Sequence, residues 1–286
     1  MTDAQNSRKK YHKPIHVIGA ALAIAAGLLL LTILILYIIG FRYLTSQSES
    51  GKIKFFGRVD SSGTPVSGTL YYPDGLKAEV NSKDSTLKYS DGSLYEGSLT
   101  KLKKTGNGKM SFPNGDVYIG SFDNDMINGS GEYTYSNGDT YEGEFKNGRK
   151  HGQGKYTFAS DGSYYEGSFA EDAKSGQGKF VQADGSVYEG SYENDVKNGM
   201  GRFTFSNGDT YEGNFVNDLR TGNGKYVWAE NGDTYEGEFL NNMMHGWGKY
   251  TWSAGRFYEG VFENGVIVRI ETPEGSGDNT TQTPNE

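Results

Sequence analysis

Glycine pairs recur along this 286-residue chain at a spacing that could support phosphate binding. Seven Gly-x-Gly pairs lie between residues 106 and 248, of which Gly222-Asn223-Gly224 is typical. A phosphate loop needs a helix N-terminus directly after its glycines, and no helix pattern follows these pairs. Gly222–Gly224 also lacks the spacing and the Ser or Thr of a P-loop. The pairs are therefore predicted to be turn glycines of hairpins.

The candidate metal ligands do not converge. His151 and His245 occupy the same position of an internal repeat, but they are four repeats apart, which is roughly 40 Å at the spacing of β-strands. The run 123–125 has some calcium-loop character, although the glycine and the terminal Glu are out of register. The chain has no cysteine, which excludes disulfide scaffolds and Cys-ligated metal sites. We predict no metal and no cofactor.

Glutamates recur so regularly that they could be mistaken for paired catalytic carboxylates. An active site is built once, whereas these glutamates repeat, so a structural role is favoured. No Gly-x-Ser-x-Gly elbow is present. We predict no catalytic residues and no enzymatic activity. The glutamates concerned are Glu142, Glu166, Glu189, Glu212, Glu236 and Glu259.

The composition indicates a β protein rich in tight turns. Glycine accounts for 42 residues and Tyr, Phe and Trp together for 39, whereas proline contributes only 6. So many aromatic residues argue against disorder, because disordered chains are poor in them. The formal net charge of −8 argues against a nucleic-acid partner.

A repeat of 23 or 24 residues supplies the elements that position these residues. Tyr-x-Gly recurs eight times, and an apolar or aromatic residue follows two positions after each glycine. Strand alternation places Tyr141, Gly143 and Phe145 on one face and Glu142 and Glu144 on the other. The tyrosines are Tyr95, Tyr118, Tyr141, Tyr165, Tyr188, Tyr211, Tyr235 and Tyr258.

Each unit is predicted to be a β-hairpin. Residues 154–158 form the returning strand, and residues 147–151 have the composition of the connecting loop. The aromatic face sets rings beside glycines, so that a ring can lie over bare backbone. The two 24-residue units carry their extra residue near Ala159 and Ala229, where a bulge or a longer turn is expected.

Units such as Tyr141–Gly154 resemble the MORN-repeat family. The resemblance implies an all-β fold, an elongated, single-layer, twisted antiparallel sheet of repeated hairpins. The repeat array covers 95–270, and residues 266–270 form its last strand and cap. Residues 52–94 are predicted to be an N-terminal cap with a degenerate repeat, in which Ala78 and Val80 replace the Tyr and Gly. Residues 271–286 are predicted to be a disordered tail.

An uncharged apolar run precedes the repeats. Residues 15–41 contain no Lys, Arg, Asp or Glu, and the centre at 17–39 is long enough to cross a membrane. It is too long for the apolar region of a signal peptide, and no small-residue cleavage site follows. Residues 1–14 are basic and 42–51 suggest a linker. The positive-inside bias predicts a single-pass protein of the cell membrane, with a cytoplasmic N-terminus and the array outside.

The C-terminal repeats carry the candidate binding residues. Trp228 and Trp252 occupy the same position of adjacent repeats and share the aromatic face with Tyr226 and Tyr250. Trp and Tyr are enriched at binding hot spots because they combine a large apolar area with a polar group. These four residues are the predicted partner-binding site, although the rings could equally fill the repeat lattice.

The MORN resemblance implies an interaction module. The first hypothesis is a scaffold, anchored by its own helix, that binds a membrane-associated or extracellular protein. The second is phospholipid-headgroup binding or membrane tethering, which the acidic array disfavours. The third is recognition of extracellular glycans by exposed rings.

Overall fold

The computed structural model describes residues 15–48 and 50–271, which divide into two compact units between Lys103 and Lys104. We call 15–103 the N-terminal unit and 104–271 the repeat unit. The sequence pattern predicted the boundary at 94/95, within the last strand of the N-terminal unit. The predicted basic N-terminus at 1–14 and the tail at 272–286 lie outside the described residues.

The N-terminal unit consists of one helix followed by six antiparallel strands, each paired with the next. Its elements are α1 (Ile15–Ile38), β1 (Phe41–Ser48), β2 (Gly51–Val59), β3 (Pro65–Tyr71), β4 (Lys77–Asn81), β5 (Thr86–Tyr89) and β6 (Leu94–Thr100).

Helix α1 has the length and composition of a membrane span, and its side chains at 19–38 are not buried against the protein. The helix ends earlier than the predicted residue 41, because Gly40 adopts a positive φ of 89° and Phe41 already starts β1. Arg42 Nη1 donates to the Tyr37 carbonyl at 2.7 Å and so satisfies a backbone group at the helix end.

The linker prediction for 42–51 was wrong. Most of this segment forms β1, which pairs with β2 from Phe41↔Arg58 to Ser48↔Gly51. The serines suggested a linker by composition, but backbone pairing with β2 stabilises an extended strand whatever its side chains. The helix is therefore followed by the sheet after only Ile39 and Gly40.

The strands of the N-terminal unit bury one face. Ile53, Phe55, Leu70 and Leu87 are all at most 1% exposed and form its core. Leu70 pairs with Ala78, so a small residue stands where the later repeats have the tyrosine ring. This degenerate unit keeps the repeat turn, in which the Tyr72 N–H donates to the Leu76 carbonyl.

The repeat unit is an antiparallel sheet in which each strand pairs with the next in sequence order. One repeat is one Tyr-x-Gly strand plus the Gly-x-Gly strand that returns beside it. The strands are β7 (Lys103–Ser111), β8 (Val117–Asp123), β9 (Met126–Thr134), β10 (Thr140–Lys146), β11 (Arg149–Thr157), β12 (Tyr164–Ala170), β13 (Ala173–Val181), β14 (Val187–Glu193), β15 (Val196–Thr204), β16 (Thr210–Val216), β17 (Leu219–Val227), β18 (Thr234–Leu240), β19 (Met243–Thr251), β20 (Phe257–Glu263) and β21 (Val266–Ile270).

The hairpin turns are shorter than predicted. The expected five-residue loop at 147–151 is a two-residue turn, because β11 already begins at Arg149. Asn147 and Gly148 have positive φ values of 51° and 80°, and a two-residue turn of this kind matches the right-handed twist of the flanking strands. The two extra residues do lie in longer turns. In one of them the Gly162 N–H donates to the Phe158 carbonyl. In the shorter turn of another repeat, the Gly138 N–H donates to the Tyr135 carbonyl.

The final strand departs from the repeat. Val266–Ile270 forms β21 as predicted, but it has no Gly-x-Gly pair. A Cβ added to Gly260 would meet the backbone of Arg269 rather than a tyrosine ring. Tyr258 instead stacks on Tyr250, with ring centroids 5.5 Å apart and planes 8° apart. β21 therefore offers no seat for a further Tyr-x-Gly strand and ends the repeat pattern.

Candidate interaction surface

The Tyr-x-Gly tyrosines from Tyr118 to Tyr235 form the buried core of the repeat unit. Tyr141 is fully buried, and a Cβ on Gly143 would lie 2.6 Å from both its hydroxyl oxygen and the Gly154 Cα. The ring contacts Phe145 of its own repeat and Phe169 of the next in edge-to-face geometry, each at 5.0 Å. The ring over Gly143 thus belongs to the same strand, not to a neighbouring repeat. These rings are inaccessible to a partner.

A second set of rings, on the returning strands and the turns after them, is half-buried. They form two continuous rows, with 4.5 to 6.2 Å between neighbouring centroids. Gln182 stands at the turn position between them, where the other repeats have a ring. The N-terminal ring row is Phe112, Tyr133, Tyr135, Tyr156, Phe158 and Phe180; the C-terminal ring row is Phe203, Phe205, Tyr226, Trp228, Tyr250 and Trp252.

The four predicted site residues lie together in the C-terminal ring row. Trp228 is 4.7 Å from Tyr226 and 5.3 Å from Tyr250, and Tyr250 is 5.3 Å from Trp252. The two tyrosine hydroxyls are already engaged within the protein, since each donates to a carboxylate at 2.6 Å. Neither indole N–H has a protein acceptor within the described residues. The tryptophans therefore keep a free polar group, whereas the tyrosines do not.

Aspartates that the sequence analysis overlooked hold the second-strand tyrosines. Asp139 accepts from the Tyr156 hydroxyl at 2.7 Å and from the Ala159 N–H at 2.8 Å. Asp116, Asp209 and Asp233 bind Tyr133, Tyr226 and Tyr250 in the same way. The hydrogen bond from the Ala159 N–H, and next the one from the Tyr156 hydroxyl, lower the pKa of Asp139 below its usual value.

The sequence contains a signal for this contact, a correlation between positions 17 residues apart. Wherever the earlier position is Asp, the later one is Tyr. Where it is Ser, at Ser93, Ser163 and Ser186, the later residue is Met110, Phe180 or Phe203, which has no hydroxyl. A buried carboxylate needs hydrogen-bond donors, so it is retained only opposite a phenol.

A row of cations also faces the rings. Lys150, Lys174, Lys197 and Arg220 each pair across the hairpin with the ring two residues after the Tyr-x-Gly glycine, as in Phe145↔Lys150. Lys150 Nζ is 4.9 Å from the centroid of Tyr156. Burial lowers the pKa of Lys150 and Lys174. Each aliphatic stem covers aromatic surface while the charged end interacts with ring faces.

The phenols of this surface are neutral hydrogen-bond donors. Burial, reinforced by the Asp209 carboxylate, raises the pKa of Tyr226 to about 12. Within residues 15–48 and 50–271 there is no group of three His, Cys, Asp or Glu side chains that could hold a metal ion. His151 and His245 lie at equivalent positions in β11 and β19. The surface can therefore offer ring faces, two indole N–H groups and partly buried cations.

A scan against protein-family models matches the MORN repeat seven times, over more than half of the chain. The matched residues are 95–117, 118–140, 141–163, 165–187, 188–210, 211–232 and 235–255. A comparison with curated protein sequences finds no significant match.

Solved structures show distant likenesses. The chain is similar to the TCP10 domain of Danio rerio CPAP in complex with a peptide of Danio rerio STIL, at 11% identity and a TM-score of 0.43, covering 80% of this chain and 99% of that one. It is also similar to the TCP domain of Drosophila melanogaster SAS-4 in complex with a proline-rich motif of Ana2, at 16% identity and a TM-score of 0.36, covering 55% and 85%.

Proposed function

Because the chain belongs to the MORN-repeat family, we propose that it is a membrane-anchored scaffold that binds a protein partner on its C-terminal ring row. Helix α1 supports the anchoring, since its apolar side chains at 19–38 have no protein surface to cover them. Regular repeats that present the same side chains at a fixed spacing favour an extended partner segment.

The observation that carries the binding proposal is the state of Trp228 and Trp252. Both rings are half-buried in a continuous row, and both indole N–H groups are left without a protein acceptor in the described part of the chain. A rigid ring that combines apolar area with an unused donor is the usual anchor of a protein interface. Tyr226 and Tyr250 position these rings, because their own hydroxyls are held by aspartates.

The binding proposal is tested by the double substitution Trp228→Phe and Trp252→Phe. The amount of partner recovered by crosslinking and pull-down from native membranes should fall about tenfold or more. The melting temperature should change by only a few degrees. Tyr135→Phe is the matched control, because Tyr135 occupies the position of Trp228 in the N-terminal ring row. Unchanged capture by the stable double variant would move the binding site elsewhere.

The same double variant separates the other hypotheses. Loss of binding to a glycan array, with protein capture retained, would favour a glycan ligand. Salt-sensitive binding to anionic vesicles through the repeats would favour phospholipid. The repeat unit disfavours phospholipid, because residues 104–271 contain 15 basic and 25 acidic side chains.

The anchoring and its orientation are tested separately. The full chain should remain with membranes after alkaline carbonate extraction. Four basic residues lie close before α1 and only Arg42 lies close after it. Lys52 and Lys54 further on weaken this contrast, but the bias still favours a cytoplasmic N-terminus and an array outside the cell. Protease added to intact cells should then remove the array. If the array were protected until detergent is added, the proposed orientation would be wrong.

A further inference from the structure

The exposed face of the N-terminal unit is basic and lies directly after the apolar helix. Cross-strand register defines this face, because directly paired residues of antiparallel strands point to the same side. One row of pairs runs Tyr43↔Phe56↔Thr69 across β1, β2 and β3. The next row runs through Lys54↔Tyr71↔Lys77. The opposite side of the same strands buries the core.

Five cations stand on this face against two acids in β1–β6. We call Lys52, Lys54, Arg58, Lys77 and Lys88, with the rings between them, the basic face. Its acids are Glu79, in register with Lys88 across β4 and β5, and Glu96, in register with Thr86 across β5 and β6. Within the described residues, none of the five cations lies within 4 Å of a carboxylate, so their charges are not neutralised by ion pairs.

Aromatic rings are interleaved with these cations and are exposed. Tyr43, Phe56 and Tyr71 have 61%, 47% and 40% of their surface accessible, which is unusual for rings in a folded sheet. Rings beside Lys and Arg are typical of surfaces that rest at the headgroup level of a bilayer, where each ring has an apolar and a wet side.

An open cavity on the same face could receive a headgroup. It has a volume of about 500 Å³. Its walls include Lys77, Lys88, Thr69 and Ser90, and also the carboxylate of Glu79. Two ammonium groups and two hydroxyls are donors that suit a phosphate group.

We infer that the basic face docks on the anionic headgroups of the bilayer that α1 enters, an inference that rests on the proposed anchoring. Only Ile39 and Gly40 separate α1 from β1, so the face is held within reach of the membrane surface. Charge complementarity selects anionic lipid, because a net excess of three positive charges attracts anionic headgroups of the leaflet on the N-terminal unit's own side of the bilayer. The occupant is thus the lipid surface, and the ligand chemistry is the lipid phosphate.

Single cysteines can report this docking cleanly, because the chain has no native cysteine. Ser67→Cys lies on the basic face, since Ser67 pairs with Arg58. Asn223→Cys, exposed in the repeat unit, is the reference site. The full chain is placed in nanodiscs of phosphatidylcholine, with or without about one third phosphatidylglycerol, and labelling by a membrane-impermeant maleimide is timed.

The expected result is that Ser67→Cys reacts about tenfold more slowly in anionic than in neutral nanodiscs, whereas Asn223→Cys reacts equally in both. Molar salt should remove the difference, because screening weakens the attraction. Charge reversal by Lys52→Glu, Lys54→Glu and Arg58→Glu should restore fast labelling. Reversal of Lys179, Arg202 and Lys225 to Glu in the repeat unit, a matched loss of three cations, should not.

Equal rates for Ser67→Cys in the two lipid compositions would overturn the docking and leave the anchoring intact. Slow labelling in both compositions, insensitive to salt, would mean that protein covers the face, and would overturn it too. A chain that does not remain with nanodiscs would overturn the anchoring and the docking together. Circular dichroism melting curves establish that each variant is folded before labelling.

Discussion

The two units use the same antiparallel hairpin but fill it differently. The N-terminal unit packs aliphatic and phenyl side chains such as Leu70 on one face, whereas the repeat unit seats one tyrosine over a pair of glycines in each hairpin from β8–β9 to β18–β19. Their charges also differ. Residues 41–103 carry nine basic and seven acidic side chains, and residues 104–271 carry 15 and 25. The comparison shows that hairpin pairing tolerates either core, while only the tyrosine core demands a strict repeat.

The reason is geometric. An aliphatic core accepts many shapes, so Ala78 and Val80 replace the consensus Tyr and Gly without breaking β4. A ring that lies on bare backbone tolerates no side chain at the glycine beneath it, because any Cβ on Gly143 would overlap the Tyr141 hydroxyl. The strict repeat is therefore a consequence of one contact made in each hairpin.

High pH should separate the two kinds of core most strongly. Burial raises the pKa of Tyr118, Tyr165, Tyr188 and Tyr211 to about 12. The unfolded chain loses these protons near pH 10, so the folded state binds more protons between pH 10 and 12 and its stability falls as pH rises through that window. The final part of the tyrosinate absorbance change, near pH 12, should coincide with loss of the sheet's circular dichroism. Ionisation of all 21 tyrosines near pH 10 with the sheet retained would contradict the tyrosine core.

Leu70→Ala should destabilise the N-terminal unit by about 2–5 kcal/mol, because it removes a fully buried side chain and leaves a cavity. Hydrogen exchange should accelerate in β2–β4 and change less in β10–β18. Ser67→Ala, on the exposed face of the same strand, is the control and should have little effect. Equal acceleration in both units would show that they unfold as one.

Gly143→Val should cost about 1–3 kcal/mol, because a branched side chain would overpack the space filled by Tyr141 and Gly154. Glu142→Ala, on the opposite face beside Lys155, should cost less than about 1 kcal/mol. Denaturant unfolding curves measure both. Equal costs would reject the assignment of the two faces.

Asp139→Ser and Tyr156→Phe should each cost about 1–2 kcal/mol, because each leaves a polar group without its partner. The double variant should be more stable than the sum of the single losses predicts, since it reproduces the natural combination of Ser163 with Phe180. A double-mutant cycle in urea measures the coupling. Strict additivity would mean that the correlation at 17 residues has another origin.

Much of the fold could be predicted from the repeat. Alternation placed Tyr141 and Glu142 on opposite faces, and the Gly-x-Gly strand was assigned as the returning partner, as the structure has them. The two wrong predictions relied on local composition and took no account of strand pairing. Serines suggested a linker where β1 pairs with β2, and turn-like residues at 147–151 suggested a longer loop than the two-residue turn that forms.

The candidate site was predicted less completely. Spacing alone brought Trp228 and Trp252 into one ring row, because equivalent positions of a regular sheet lie side by side. It did not reveal that the hydroxyls of Tyr226 and Tyr250 are used within the protein, although the Asp-to-Tyr correlation was present in the sequence. That correlation has a meaning only once the two positions are known to touch.

The sequence by itself determined the family, the hairpin repeat and the apolar helix, because each depends on periodicity or composition along the chain. Tertiary structure decided which rings are buried, since Tyr141 and Tyr156 share a face but differ in the backbone beneath them. It also gathered the cations of β2, β4 and β5 onto one face of the N-terminal unit. Residues distant in sequence become one surface only through strand register, and no repeat pattern encodes that register in those strands.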